Sequence, residues 1–124
     1  MGALEGCRVL IVEDEMLVGM ELESLLQRQG CTALGPAPTV ARALDLLEDE
    51  RPDAVLLDLN LNGQSATEVA QALSARDVPF VLVTGYGEAQ SSQPELRHTP
   101  RVDKPVNHRQ LVRALTQLFE PGPR

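Results

Sequence analysis

The stretch Ala54-Val55-Leu56-Leu57-Asp58-Leu59-Asn60 sets four consecutive apolar residues directly before a carboxylate. A strand is apolar at every position only when helices cover both faces of its sheet, so the run reads as an interior strand of a parallel sheet. Asp58 closes that strand at its carboxyl edge, and Asn60, Asn62 and Gly63 turn the chain toward the next helical pattern. A strand-ending Asp often does no more than start a turn. In open α/β sheets, however, ligands bind at this edge, which makes Asp58 a candidate site residue once other edge residues join it.

The same alternation extends to both sides. Residues 7–12 form an apolar run that stops at Glu13-Asp14-Glu15, and from Met16 the period becomes helical, with Val18, Leu22, Leu25, Leu26 and Gln29 on one side up to Gly30. Residues 31–35 predict a second strand, and Thr39 is suited to cap a helix carrying Val40, Ala43, Leu44 and Leu47. After Asp58, residues 65–75 predict a helix with Val69, Ala70 and Leu73 as its stripe, and residues 78–83 a fourth strand ending at Thr84-Gly85-Tyr86-Gly87. Residues 88–99 carry almost no apolar anchor and predict a short or frayed helix. A brief strand at residues 101–103 precedes Lys104-Pro105, and Asn107 with Gln110 is placed to cap a last helix whose Leu111, Ala114, Leu115 and Leu118 face the sheet.

Five strands alternating with five helices predict a three-layer α/β sandwich with right-handed crossovers. One edge then gathers Glu13 and Asp14, Asp58 and Asn60, Thr84 and Gly85, and Lys104.

At 124 residues and 43% hydrophobic, the chain is sized for one domain, expected over residues 5–120 with residues 121–124 as a tail. Aromatic content of 2% and a net charge of -7 leave neither stacking platforms nor a basic face, which argues against nucleic acid or an anionic membrane surface as partner. No basic-then-apolar leader is visible and the apolar runs are too short to cross a bilayer, so the cytoplasm is the expected location. Cys7 and Cys31 each open a strand-like run and read as reduced core thiols, although neighbouring strands would let the two approach one another.

Three carboxylates on one edge repel: like charges ~4 Å apart cost ~4 kcal/mol at an effective dielectric of about 20. Positive charge must sit among them. One or two carboxylates plus a backbone carbonyl suit Mg²⁺, which keeps several of its waters. Lys104 supplies a second positive point, and Thr84 a hydroxyl beside the Gly85 amide. Together these groups form a cage for a phosphoryl group, with Asp58 as a nucleophile.

In order and at suitable spacing, Val12-Glu13-Asp14-Glu15, Leu57-Asp58-Leu59-Asn60-Leu61, Val83-Thr84-Gly85 and Asp103-Lys104-Pro105 resemble the motifs of bacterial two-component receiver domains, over nearly the whole chain. The resemblance implies a flavodoxin-like fold, a parallel five-stranded sheet of order 2-1-3-4-5, and a response regulator that catalyses only its own aspartyl phosphorylation and dephosphorylation. It also implies that Asp14 binds Mg²⁺ directly and Glu13 through water, with Asp58 and the Asn60 carbonyl as further ligands. Asp58 would take phosphate from a sensor histidine kinase or histidine phosphotransferase, Thr84 and Lys104 would hold the phosphoryl oxygens, and the Lys104-Pro105 peptide would be cis. Output would pass to a downstream protein partner, with no DNA-binding domain.

The segment from Pro79 to Gly87 is similar to the single-domain subgroup named for a Phe-Ala-Thr-Gly-x-Tyr motif, although Val81-Leu82-Val83 departs from its Phe-Ala part. Receivers carry an aromatic switch three residues before the strand-five Lys; here that position is Arg101. The switch is therefore expected to run through Thr84 and Tyr86. Finally, Met16, Leu17 and Met20 point away from the core side of the first helix and form a candidate docking stripe, with Met20 expected to be the most exposed and packing of Leu17 on the last helix as the plain alternative. The competing functional readings are a receiver-fold binding module that works without phosphorylation, and a phosphate sink for a kinase.

Overall fold

The computed structural model describes residues 4–85, 96 and 99–119. Its elements in chain order are β1 (Arg8–Val12), α1 (Met16–Arg28), β2 (Thr32–Ala37), α2 (Val40–Glu50), β3 (Ala54–Leu57), β4 (Asn60–Leu61), β5 (Gln64–Ser65), α3 (Thr67–Ala75), β6 (Phe80–Thr84), β7 (Arg101–Asp103) and α4 (His108–Leu118). Five strands pair in parallel in the order β2-β1-β3-β6-β7, which is the predicted 2-1-3-4-5, and β4 and β5 form a separate antiparallel hairpin.

The unbroken apolar strands are explained by two cores, one on each face. Leu10 and Val12 of β1 pack with Val55 and Leu57 of β3 toward α2 and α3, where Val40, Ala43, Leu47, Val69 and Leu73 meet them. Val9 and Ile11 alternate to the opposite face with Leu56, Val81 and Val83, against Leu22 and Leu26 of α1 and Leu111 and Leu115 of α4. Each helix lays one apolar stripe on the sheet. Thr39 caps α2 by accepting from the Arg42 amide at 3.1 Å, and Asn107 caps α4 by accepting from the Gln110 amide at 2.9 Å.

Several expectations are corrected. Leu46, not Leu44, joins the buried α2 stripe, with Leu44 only packed against its margin. The chain after Asp58 does not enter a helix at residue 65: it first folds back as the β4–β5 hairpin, with Asn62 at φ 54° and Gly63 at φ 86° in its tip, so α3 starts at Thr67. Four helices lie among the described residues. The helix expected within residues 88–99 lies outside them apart from Leu96 and Thr99, and Leu96 is a buried anchor in the α2–α3 core.

The second strand is longer than expected and irregular. Its register with β1 runs Arg8↔Thr32 to Leu10↔Leu34 and then slips one residue, so that Val12 pairs with Ala37. Gly35 makes the slip possible: at φ 87° it has room only for hydrogen, since a Cβ there would lie 2.8 Å from the Ile11 carbonyl oxygen. The Gly35-Pro36 and Lys104-Pro105 peptides are both cis. Both cysteines are free thiols; Cys31 is buried, with its Sγ 3.3 Å from the Leu4 carbonyl oxygen, whereas Cys7 is only half-buried. Burial raises the pKa of both, which favours the protonated thiol.

Candidate functional site

The parallel register brings the strand ends together. Val12 lies level with Leu57, and Thr84 with Asp103, so the residues that follow β1, β3 and β7 emerge on one edge beside the end of β6. The Asp58 amide donates to the Val12 carbonyl at 3.0 Å, and the Glu13 amide to the Ala37 carbonyl at 3.0 Å, extending the sheet by one residue into the site. Asp14, Glu15, Asp58, Asn60, Asn62, Gly63, Gly85 and Lys104 line a cavity of about 210 Å³ at this edge.

Lys104 is the centre of the charge pattern. Its ammonium donates to Asp58 Oδ2 at 3.0 Å, Glu13 Oε2 at 3.0 Å and Glu15 Oε1 at 2.7 Å. Asp58 Oδ1 accepts from the Asn60 amide at 3.0 Å, and the Asn60 side chain in turn accepts from the Gly63 amide at 2.8 Å. The Asn60 side chain is thus committed to its own loop. Thr84 is fully buried, and its hydroxyl donates to Asp103 Oδ1 at 3.2 Å. Glu13 Oε2 also accepts from the Glu15 amide at 3.1 Å.

Burial pushes the Glu13 carboxyl up to about 7, with the nearby Asp58 charge adding to the rise and the bonds to Lys104 and the Glu15 amide opposing it. Burial pulls Lys104 the other way, toward the neutral amine. The bonds to Glu15, Asp58 and Glu13 outweigh it and hold the ammonium above its ordinary value, charged at every working pH.

Ligand atoms of Glu13, Asp14 and Asp58 all lie within 4.8 Å of one another. Glu13 Oε1 is buried with no hydrogen-bond partner among the described residues, and the Asp14 carboxylate makes none there either. An orphaned carboxylate oxygen beside two further carboxylates is a donor set that a hard divalent cation with oxygen ligands satisfies.

The sequence-predicted residues Glu13, Asp14, Asp58, Asn60, Gly85 and Lys104 therefore come together, with Thr84 at the adjoining strand end. Tyr86 lies outside the described residues. Glu15 joins the site although its place beside a helix start pointed to no more than a favourable dipole: it precedes α1 without making a side-chain cap bond, and its carboxylate accepts from Lys104. Met16 and Leu17 are 78% and 79% exposed, and Met20 55%, so the stripe is open but Met20 is its least exposed member. At that exposure Leu17 is not buried against α4. Among the described residues no helix is long and apolar enough to cross a membrane.

The family model for the response regulator receiver domain matches residues 9–116. The solution structure of SdrG from Sphingomonas melonis Fr1 is 43% identical with a TM-score of 0.81, the match covering 97% of this chain and 100% of that one. The receiver domain of the PhyR response regulator from Erythrobacter litoralis is 30% identical with a TM-score of 0.83, covering 99% and 98%. The Bacillus cereus sensory transduction protein LytT is 33% identical over 111 residues, which are 87% of this chain and 45% of that protein, so the chain spans less than half of this curated relative. A family match over so much of the chain, on a sheet with the strand order and acidic edge that its motifs require, means that the chain belongs to the response regulator receiver domain family.

Proposed function

We propose that Asp58 accepts a phosphoryl group from the phosphohistidine of a sensor histidine kinase or histidine phosphotransferase, in a Mg²⁺-dependent reaction, and that the phosphorylated domain signals through a protein partner. A carboxylate oxygen of Asp58 forms the new bond to phosphorus as the phosphorus–nitrogen bond to the imidazole breaks, and the imidazole leaves with that electron pair. Lys104, already on Asp58 Oδ2 at 3.0 Å, needs only a small shift to donate to a phosphoryl oxygen. Thr84 exchanges Asp103 for a second phosphoryl oxygen, and the Gly85 amide at the cavity wall is a further donor.

Glu13, Asp14, Asp58 and the Asn60 backbone carbonyl are the groups that would hold the cation. Bound Mg²⁺ supplies charge neutralisation for the phosphoryl oxygens. We assign the exposed Met16, Leu17 and Met20 at the start of α1 to docking of the phosphodonor protein.

The observation that carries this reading is one ammonium shared by the buried carboxylates Asp58 and Glu13 on the wall of an acidic cavity. The test is incubation with Mg²⁺ and a radiolabelled histidine kinase: wild-type protein takes up label and Asp58→Asn does not. Equal labelling of the variant would move the acceptor elsewhere. Absence of label on both would favour a receiver-fold binding module.

A further inference from the structure

Lys104 has three N–H donors, and Asp58, Glu13 and Glu15 take all of them. Phosphorylation changes that balance. The bond to Asp58 is freed when the carboxylate becomes an acyl phosphate, but the phosphoryl group brings several anionic oxygens in place of one. Any second bond from Lys104 to them must come from Glu13 or Glu15.

The two are not equivalent. Glu13 is 2% exposed, so water cannot take the place of the ammonium at its Oε2, and a divalent cation in the site has the orphaned Oε1 to coordinate, leaving Oε2 still in need of Lys104. The Glu15 side chain is 59% exposed, and water replaces the ammonium there at little cost. Glu15 is thus the partner that yields.

We propose that Glu15 is a positioning residue that holds Lys104 toward the rim of the resting site and competes with the phosphoryl group for it, lowering phosphoryl affinity and shortening the life of the phosphorylated form. This role rests on the reading of Asp58 as the phosphoryl acceptor. Because Glu15 is exposed and makes no side-chain cap bond, its substitutions leave the fold intact.

Three proteins test it: wild type, Glu15→Gln and Glu15→Asp. Aspartate keeps the charge but is one methylene too short for a 2.7 Å contact to Lys104. The first measurement, without metal, is NMR of the Lys104 ammonium, whose slow proton exchange in wild type is lost in both variants. The second is affinity for beryllofluoride, a phosphoryl mimic, in the presence of Mg²⁺, which tightens by about three- to fivefold in both variants. An unchanged ammonium signal overturns the role of Glu15 even if beryllofluoride binds normally. So does Glu15→Asp binding like wild type while Glu15→Gln binds more tightly, since charge at the rim, and not the contact, would then be the cause. If the ammonium signal changes but no protein binds beryllofluoride, the phosphoryl reading itself falls and takes this role with it.

Discussion

The backbone amide of Lys104 donates to the carbonyl oxygen of Thr84 at 2.7 Å, so the site's cation and its hydroxyl are fixed to one another through main chain before any ligand arrives. Movement of one is therefore felt by the other. Thr84→Val tests the hydroxyl alone. The side chain is fully buried and, among the described residues, its hydroxyl bonds only to the exposed Asp103, so folding stability changes by less than about 1 kcal/mol. Beryllofluoride binding with Mg²⁺, read by fluorescence or NMR titration, weakens roughly tenfold through loss of a charged hydrogen bond. Unchanged affinity would remove Thr84 from the phosphoryl cage.

Charge crowding in the metal-free site separates Asp14 from Asp58. Asp14 is half-exposed and has no hydrogen-bonded partner among the described residues, whereas Asp58 is held by Lys104 and by the Asn60 amide. In EDTA at pH 7, Asp14→Asn relieves repulsion and stabilises the fold by about 1 kcal/mol, a rise of several degrees in melting temperature. Asp58→Asn gives no such rise, because it discards an ion pair together with the repulsion. Melting curves of the two variants side by side decide this.

Stability carries a pH signature from Glu13. Burial holds its carboxyl at about 7 against an ordinary 4.5, so between those values the folded chain binds a proton that the unfolded chain has released. Its contribution is fully present below about pH 4.5, fades as pH rises and is gone above about 7, on the order of 3 kcal/mol in all. Urea unfolding in EDTA at pH 5 and pH 7.5 shows this loss in wild type, and Glu13→Gln removes that part of the pH dependence. Mg²⁺ affinity moves the opposite way, rising across the same window as Glu13 ionises.

At the proposed docking face the better probe is Leu17, which at 79% exposed has little packing to lose on substitution. Leu17→Glu leaves the melting temperature within about one degree of wild type and slows phosphotransfer from a histidine kinase by roughly tenfold. Transfer from a small acyl phosphate, which needs no docking surface, is unchanged. Equal slowing with both donors would mean that the substitution perturbs the site itself.

Much of this was legible in the sequence, and what was not has physical causes. The buried strands announced themselves because apolar residues on both faces leave no polar position to confuse the period, and the edge residues followed from where the runs stop. Glu15 was not legible: its bond to Lys104 spans 89 residues, and the local reading of an acid beside a helix start needed no partner. The exposure ranking of the stripe failed because angle about the helix axis decides burial only where the sheet lies underneath. Met16 and Leu17 lie in the first turn of α1, where both are more exposed than Met20 one turn on. The hairpin after Asp58 escaped notice because two-residue strands held by turn geometry carry no hydrophobic period.

The one-residue slip at Gly35 has a consequence for how the site is inherited. Without it, Pro36 would stand opposite Val12; with it, the carbonyl of Ala37 meets the Glu13 amide and fixes the depth of the carboxylate that titrates near neutrality. An exposed glycine on an edge strand, in a different strand from Asp58, thus sets where the Glu13 backbone sits. A chimera that exchanges β2 would keep every residue of the acidic edge yet lose this register unless the donor strand brings its own spare residue at the same place. In this chain the depth of Glu13 is therefore set by the register of β2 as well as by the residues of the edge itself.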